Sequence, residues 1–532
     1  MRTGFRTLIS ALAAAALLAT VEISGAAAQT KVLKVVPEGD LKVLDPVWTT
    51  GTITQNHAAL VFDELFGWDE RYEPKPQMVD TWTVSPDGLV YTFKLRDGLA
   101  FHDGDPVRAA DAAVSLMRWG QRDIMGQRLF QAVATVEGVD DRTLRMTLKE
   151  PYGLVLQSIG RIGGLIPFIM KEKYAETDPA TQVTDMIGSG PFMFKKDEWV
   201  PGSKVVYIKN PNYKPRSEPA SGFAGGKIAN VDRVEWQYIP DPATVSAALV
   251  AGEIDFWELP PSDFLPALKK NPNIVVAVGD PLGSRGVMRP NFLYPPFDNA
   301  KARQALVWLT VQEDYLTAAV GNDKSSWTIC GAYFTCNSPN ATEVGAEALM
   351  EPDRAKKQAM AKKLLAESGY KGEPIYILQA TDYAYFNAAA LVLADALKQI
   401  GANPQLVPLD WNTVLTRRAV KKAPNDGGWH IFFTSGTGIG SADPFSNATS
   451  AACDKAWFGW PCNAEIERLR DAWTREADVK KQKAIIEELQ AKMYDFVPYV
   501  SWGQWNSSIA HRANIKGVLV SPQRAYWNIT KE

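Results

Sequence analysis

Residues 82–118 read WTVSPDGLVYTFKLRDGLAFHDGDPVRAADAAVSLMR. Within them Leu89–Leu95 alternates with the period of two that a strand requires. Next, His102 stands in Phe101-His102-Asp103-Gly104, a tight Asp-Gly turn with no second His at ligand spacing. That pattern reads as a structural turn rather than a metal ligand or general base. Outward from this stretch, strand-like segments recur at Leu33–Val36, Leu144–Leu148, Lys204–Ile208, Val234–Ile239, Ile375–Leu378, Gln405–Pro408 and Ile431–Phe433. Helical spacing alternates with them. Residues 353–368 stop at Gly369, and 388–400 stop at Gly401, glycine being the usual residue just past a helix end. Two further helices are expected near 464–476 and 479–496. The mixture is α/β with α+β parts, and no period of 20–50 residues suggests a solenoid or propeller.

The chain has 532 residues, 46% hydrophobic and 22% charged, with 39 Gly and 34 Pro. This is ordinary globular usage and excludes disorder, collagen-like repeats and a miniature disulfide scaffold. Lys and Arg number 57 against 60 Asp and Glu, a net charge of −3, so no electrostatic footprint for nucleic acid exists. Gly/Pro-rich breaks at 74–76, 188–191, 281–296 and from Gly503 onward are the expected domain crossings.

Arg2 and Arg6 precede an apolar run from Leu8 to Val21, and Ala26-Ala27-Ala28 follows. A basic start, a short apolar core and small residues form a secretory signal pattern, expected to be cleaved near Ala28 and to export the chain to the periplasm. The run falls short of the roughly 20 residues a spanning helix needs.

Of the four cysteines, Cys330 and Cys336 form one near pair and Cys453 and Cys462 another. In an oxidising compartment three pairings are open, and the two local ones are favoured over free buried thiols because each lies in a short loop-like stretch. Neither spacing matches a zinc site, so no metal and no cofactor is expected. Walker, GxSxG, HExxH and CxxC motifs are absent. The run Gly436-Thr437-Gly438-Ile439-Gly440 follows a strand, but Ser441-Ala442-Asp443-Pro444 comes next where a dinucleotide site needs a helix. It reads as a loop that lets backbone approach a solute.

The 82–118 stretch closely resembles the signature segment of the extracellular solute-binding proteins of family 5. Further matches keep that family's order: IGSGPFMF (187–194), KNPNY (209–213), IPDPATVSAALVAGEIDFWELPPSD (239–263), PPFDNAKARQALVWLT (295–310), AKKLLAESGY (361–370) and ADALKQIGANPQLVPLDW (394–411). The resemblance implies a two-lobed periplasmic binding protein of the large peptide-binding type with an extra inserted domain. Lobe I would be 29–73, 189–285 and 504–532, the inserted domain 74–188 and the second lobe 286–503. It also implies a monomeric receptor that is not an enzyme. Such a receptor takes a peptide or related small solute into the cleft and delivers it to the membrane permease subunits of an ABC importer. A cleft of this kind needs no nucleophile, because closure is favoured by contacts with both faces.

Carried over position by position, the family's first-strand loop falls on Trp48-Thr49-Thr50-Gly51-Thr52. The Arg-Pro-Tyr segment that holds a dipeptide's carboxylate falls on residues 380–385, where Asp382, Tyr383 and Tyr385 stand without the Arg. The Gly-Trp-Thr-Gly-Asp run that holds its ammonium falls on Phe433, Thr434, Ser435, Gly436 and Thr437, with only Asp443-Pro444 kept downstream. Both charge anchors are missing. Each is worth about 1.5–3 kcal/mol, so a plain dipeptide held at both termini is not the expected solute. Arg285, Arg289 and Asp382 are candidates for a differently placed charge set, with ordinary interdomain pairs as the alternative; loss of carboxylate binding in Arg289→Ala would support the first. Trp411 joins Tyr383, Tyr385 and Phe433 as an aromatic candidate, whereas Trp502 and Trp505 read as hinge or packing residues. An oligopeptide or modified peptide is the first expectation, then an opine, a glutathione-like compound, a sugar derivative or a metal chelate. Two other classes stay open: a secreted hydrolase with an unrecognised carboxylate pair, and a chaperone or sensor on the receptor fold.

Overall fold

The β-branched segments Val32–Val36, Lys204–Lys209 and Arg233–Gln237 lie side by side in one sheet, and their alternation decides which face is buried. Leu33, Val234 and Tyr207 form one cross-strand row and Val35, Trp236 and Val205 the next, all in one core. Helix Thr52–Val61 buries Ile53, Ala59 and Leu60 in the same core. Across the full sheet the order is 192–194, 204–209, 233–237, 32–36, 256–257, 508–512 and 274–278. The computed structural model describes residues 30–161, 163–476 and 478–532, and the expected signal segment up to Ala28 lies outside the described residues. No helix among the described residues is long and apolar enough to cross a membrane.

A second sheet has six strands in the order 327–328, 500–505, 284–290, 431–437, 374–380 and 403–409. Pro374–Ala380 runs parallel to Asn403–Leu409, and helix Ala384–Gln399 makes the crossover between them. That helix buries Ala389, Ala390, Leu393, Ala394 and Leu397, a stripe at helical spacing, against the sheet core. A third, antiparallel sheet orders 79–84, 90–95, 143–148 and 133–138. Helix Ala109–Gly120 covers it with Ala109, Ala112, Ala113, Leu116 and Trp119.

Between the first two sheets the chain passes twice, at 279–283 and at 506–507. The flanking strands are paired on both sides of the passage: Val278 opposes Ser508, and Ser284 opposes Trp505. Gly279 N–H donates to the Ser507 carbonyl at 2.9 Å, so the two crossings form one narrow ribbon.

The stretches read as Gly/Pro breaks at 281–296 and from Gly503 onward hold the strands Ser284–Pro290 and Val500–Trp505. Gly286 does not mark a turn there. A Cβ on it would come within 2.3 Å of the Trp502 ring, so glycine makes room for a core indole. Trp502 is stacked on Trp505 at a centroid distance of 4.5 Å, and both are buried.

Both local cysteine pairs are bonded, Cys330 to Cys336 and Cys453 to Cys462. The His102 ring ties its turn to the 188–190 loop: Gly188 N–H donates to Nδ1 at 3.3 Å and Nε2 lies 3.2 Å from the Gly190 carbonyl. Burial pushes its pKa down to about 4.

Candidate functional site

The two large sheets meet at a solvent-open cavity lined by residues from both of them. One wall is the start of helix Thr52–Val61, preceded by Thr50 and Gly51. Opposite it, strand Ile431–Thr437 ends in Thr434, Ser435, Gly436 and Thr437, and continues into a single 3₁₀ turn at Ile439–Ser441 rather than an α-helix. An aromatic wall comes from Tyr383, Phe386 and Trp411, with Tyr383 stacked on Phe386 at 4.3 Å and Phe386 lying 4.8 Å from Trp411. Arg161, Gly164, Ser446 and Asn447 close one end.

Arg418 is the decisive charge. It follows helix Trp411–Arg417, is 1% exposed, and carries its guanidinium into the cavity wall. Three aromatic rings surround it, with centroids 4.6 Å (Phe458), 5.2 Å (Trp457) and 5.8 Å (Phe432) from Cζ. Its polar contacts are long ones to the Thr49 and Thr50 hydroxyls, 3.4 and 3.3 Å from Nη2, and its Nε has no partner. No carboxylate among the described residues pairs with it, and burial draws its pKa down to about 9. A buried cation without a counter-charge costs several kcal/mol, and an incoming anion removes that cost.

Glu38 stands at the other side. Its backbone N–H donates to the Glu258 carboxylate at 2.8 Å, while its own carboxyl accepts from the Tyr383 hydroxyl at 3.3 Å and from the Ile53 amide in the first turn of the helix. Burial, reinforced by Glu258, pushes the Glu38 pKa up to about 8. At neutral pH the group is therefore mostly a neutral acid, able to donate as well as accept. A carboxyl whose folded pKa lies above its unfolded one stabilises the fold fully below about pH 4.5, and that contribution is lost as pH rises toward 8. The ligand-free melting temperature should therefore fall between pH 5 and 8, and fall less in Glu38→Gln. Melting curves of the two proteins across that range check this; parallel curves would contradict it.

Of the residues proposed from sequence, Thr50, Gly51, Thr52, Tyr383, Trp411, Thr434, Ser435 and Gly436 line this cavity. The others lie elsewhere. Phe433 points to the opposite face of its strand and is buried in the core near Tyr315, at a centroid distance of 6.3 Å. Tyr385 packs on Trp505 at 5.3 Å. Asp382 bridges the Tyr238 hydroxyl, at 2.9 Å, and the Trp411 amide, at 2.7 Å. Asp443 is half-buried beside Arg161, accepts from Phe445 N–H at 2.8 Å, and has its pKa raised by desolvation. Arg289 is spent on backbone carbonyls: those of Phe458 at 2.6 Å, Pro498 at 2.7 Å and Ala448 at 2.9 Å. Arg285 lies against the Cys330–Cys336 disulfide.

Glu38, Arg161, Arg418, Asn447 and Trp457 were not found by sequence reasoning. Arg418 follows Arg417 in a polar segment, and nothing local marks it as buried. The rings that bury it come from distant positions. The cavity can orient an anionic group at Arg418, cover an apolar body with the aromatic wall, and offer hydroxyls and backbone groups from 50–52 and 434–437. Its described lining residues include no His, Cys or Lys. No cluster of three or more metal-ligating side chains occurs among the described residues.

Comparison with known proteins agrees with this architecture. The family described as "Bacterial extracellular solute-binding proteins, family 5 Middle" matches residues 73–457. A relative from Sinorhizobium fredii, described as "Probable peptide ABC transporter periplasmic-binding protein y4tO", is 40% identical over 530 residues, covering 99% of this chain and 98% of its own. Among solved structures, the periplasmic binding protein AgaA of A. tumefaciens R10, in complex with agropinic acid, superposes with a TM-score of 0.78 at 19% identity. The match covers 94% of this chain and 99% of AgaA. DppA from Helicobacter pylori, in complex with the peptide STSA, superposes with a TM-score of 0.76 at 22% identity, covering 94% and 98%. These likenesses establish the two-lobed receptor fold. Sheet order, cavity position and the match over 73–457 lead to one conclusion: the chain belongs to the family 5 bacterial extracellular solute-binding proteins.

Proposed function

We propose that this protein is the periplasmic receptor of an ABC importer and that its solute carries a carboxylate held by Arg418. The observation that carries this reading is a buried guanidinium with no counter-charge in the wall of a cavity between two sheets. Residues 1–28 act as the export signal. The first lobe is 29–73, 189–285 and 504–532, the inserted domain 74–188 and the second lobe 286–503; membership of the three sheets supports this division except at its edges, where 284–285 and 504–505 belong to strands of the second sheet. The paired crossings at 279–283 and 506–507 serve as the hinge. Closure is bridged by Lys42–Asp410 at 2.8 Å and Tyr238–Asp382 at 2.9 Å.

The relative described as a peptide-transport receptor supports a peptide as first candidate, and the likeness to AgaA supports an opine as second. The protein releases its solute unchanged and is not an enzyme. Native mass spectrometry of the purified protein should reveal one co-purifying solute of unaltered mass. A thermal-shift screen complements it, since a ligand at 100 times its Kd adds about 2.7 kcal/mol of stability. Catalytic consumption of any stabilising compound would overturn the reading.

A further inference from the structure

We infer that the Cys330–Cys336 disulfide is a redox-active site that accepts electrons from a dithiol and controls the 436–441 wall of the cavity. Arg285 carries the argument. It lies on strand Ser284–Pro290 and is 1% exposed, with Nη1 3.2 Å from Cys336 Sγ, 3.6 Å from Cys330 Sγ and 3.5 Å from Gln504 Oε1. Its Nε and Nη2 are buried and, the neutral Tyr499 hydroxyl aside, meet no acceptor. The titratable side chains facing it are the phenols of Tyr333, Tyr494 and Tyr499, all kept neutral by burial. Nearby, Glu343 is exposed and accepts from Gly331 N–H at 3.2 Å, beside Cys330 rather than at the guanidinium.

Disulfide sulfurs are weak acceptors and carry no charge, so in the oxidised protein this buried cation lacks an anion. Reduction creates one where it is needed, because a Cys336 thiolate would sit at the guanidinium. Stabilising the reduced form in this way makes a disulfide more oxidising, and a leaving thiol of low pKa departs faster. The two sulfurs also differ in access, Cys330 being half-buried and Cys336 only 6% exposed. A dithiol's thiolate attacks Cys330 Sγ, forming a mixed disulfide as the S–S bond breaks and its electron pair leaves on Cys336. The reductant's second thiol then displaces Cys330, so the dithiol is oxidised by two electrons and the cysteine pair is reduced.

Coupling to the cavity runs through the neighbour of Cys336. Thr335 donates from its hydroxyl to the Gly438 carbonyl and from its amide to the Ser441 carbonyl at 3.0 Å. Asn340 adds a bond to the Ala442 carbonyl at 2.9 Å. The loop so held contains Gly436, Thr437 and Gly440 of the cavity wall. Opening the disulfide frees the segment that pins this loop. The coupling half of the inference rests on the cavity being the solute site; the redox half does not.

The test uses the full exported chain without solute. Equilibration in glutathione redox buffers, followed by alkylation and mass spectrometry, gives the Cys330–Cys336 equilibrium constant. Arg285→Gln should shift it about tenfold toward the disulfide, about 30 mV for a two-electron couple. In the reduced wild type, the pH dependence of alkylation should place the Cys336 thiol below the ordinary value of about 8.5. Hydrogen exchange at 436–441 should accelerate on reduction. An unchanged equilibrium in Arg285→Gln, or a Cys336 titrating at 8.5 or above, overturns the redox site; the second readout stands even where the variant does not fold. Unchanged exchange at 436–441 overturns the coupling. A failed solute screen would touch neither readout.

Discussion

Replacing Arg418 with methionine should cost a carboxylate-bearing solute roughly 10- to 150-fold in affinity, the equivalent of about 1.5–3 kcal/mol for a hydrogen bond to a charged group. The same change should leave the ligand-free protein as stable as before, or more so. The reason is that Arg418 forms no ion pair to lose: its side chain lies among Phe432, Trp457 and Phe458, and methionine fills comparable apolar space without a charge to desolvate. Isothermal titration with a peptide found by the thermal-shift screen, as free acid and as C-terminal amide, separates the effect from general damage. Wild type should prefer the acid; Arg418→Met should bind both alike. Arg289 supplies the contrast. Its donors meet the carbonyls of Ala448, Phe458 and Pro498, so Arg289→Met should lower the melting temperature yet keep the preference for the acid. A retained acid preference in Arg418→Met would contradict the assignment.

The largest stability effect is expected at Arg118 and Asp45. The guanidinium meets the carboxylate with two bonds, 3.1 and 2.6 Å, at side-chain exposures of 1% and 0%. Remaining valences are filled: Arg118 also donates to the Thr177 carbonyl at 2.9 Å and the Thr181 carbonyl at 3.0 Å, while Asp45 accepts from Val183 N–H at 2.8 Å. The pair thus joins the loop before helix Thr52–Val61 to helix Ala109–Gly120 and to the segment 177–183. Asp45→Asn keeps the shape but leaves the cation uncompensated, and should cost about 3–5 kcal/mol. Denaturant unfolding measures it. The double variant Asp45→Leu/Arg118→Met should lose less than the two single losses combined, because the second substitution removes the stranded charge. Strict additivity would show that the two groups do not act as a pair.

Elements that follow simple local rules were legible in the sequence. Lys204–Lys209 is β-branched and bounded by polar turns, and helix Arg354–Glu367 has Asp353 as its N-cap and ends just before Gly369. Strands Ser284–Pro290 and Val500–Trp505 were hidden because their glycines look like breakers, whereas Gly286 serves the packing of Trp502. The same division holds at the cavity. Thr50–Thr52 and Thr434–Gly436 sit next to a helix start and a strand end, and they were reached through the family resemblance rather than through local pattern. Arg289 and Arg418 are both arginines in unremarkable surroundings along the chain. What separates them is long-range: one meets three carbonyls from distant loops, the other meets rings and no acceptor but hydroxyls. Hydrogen-bond saturation is a property of the folded neighbourhood, and no local periodicity encodes it.

Small-angle X-ray scattering of the purified protein, with and without the solute recovered from it, tests most directly whether two lobes clamp a passenger and release it intact. The radius of gyration should fall on addition of solute and return after dialysis, with the recovered molecule unchanged in mass. One invariant scattering curve, together with a chemically altered molecule in the dialysate, would contradict the account.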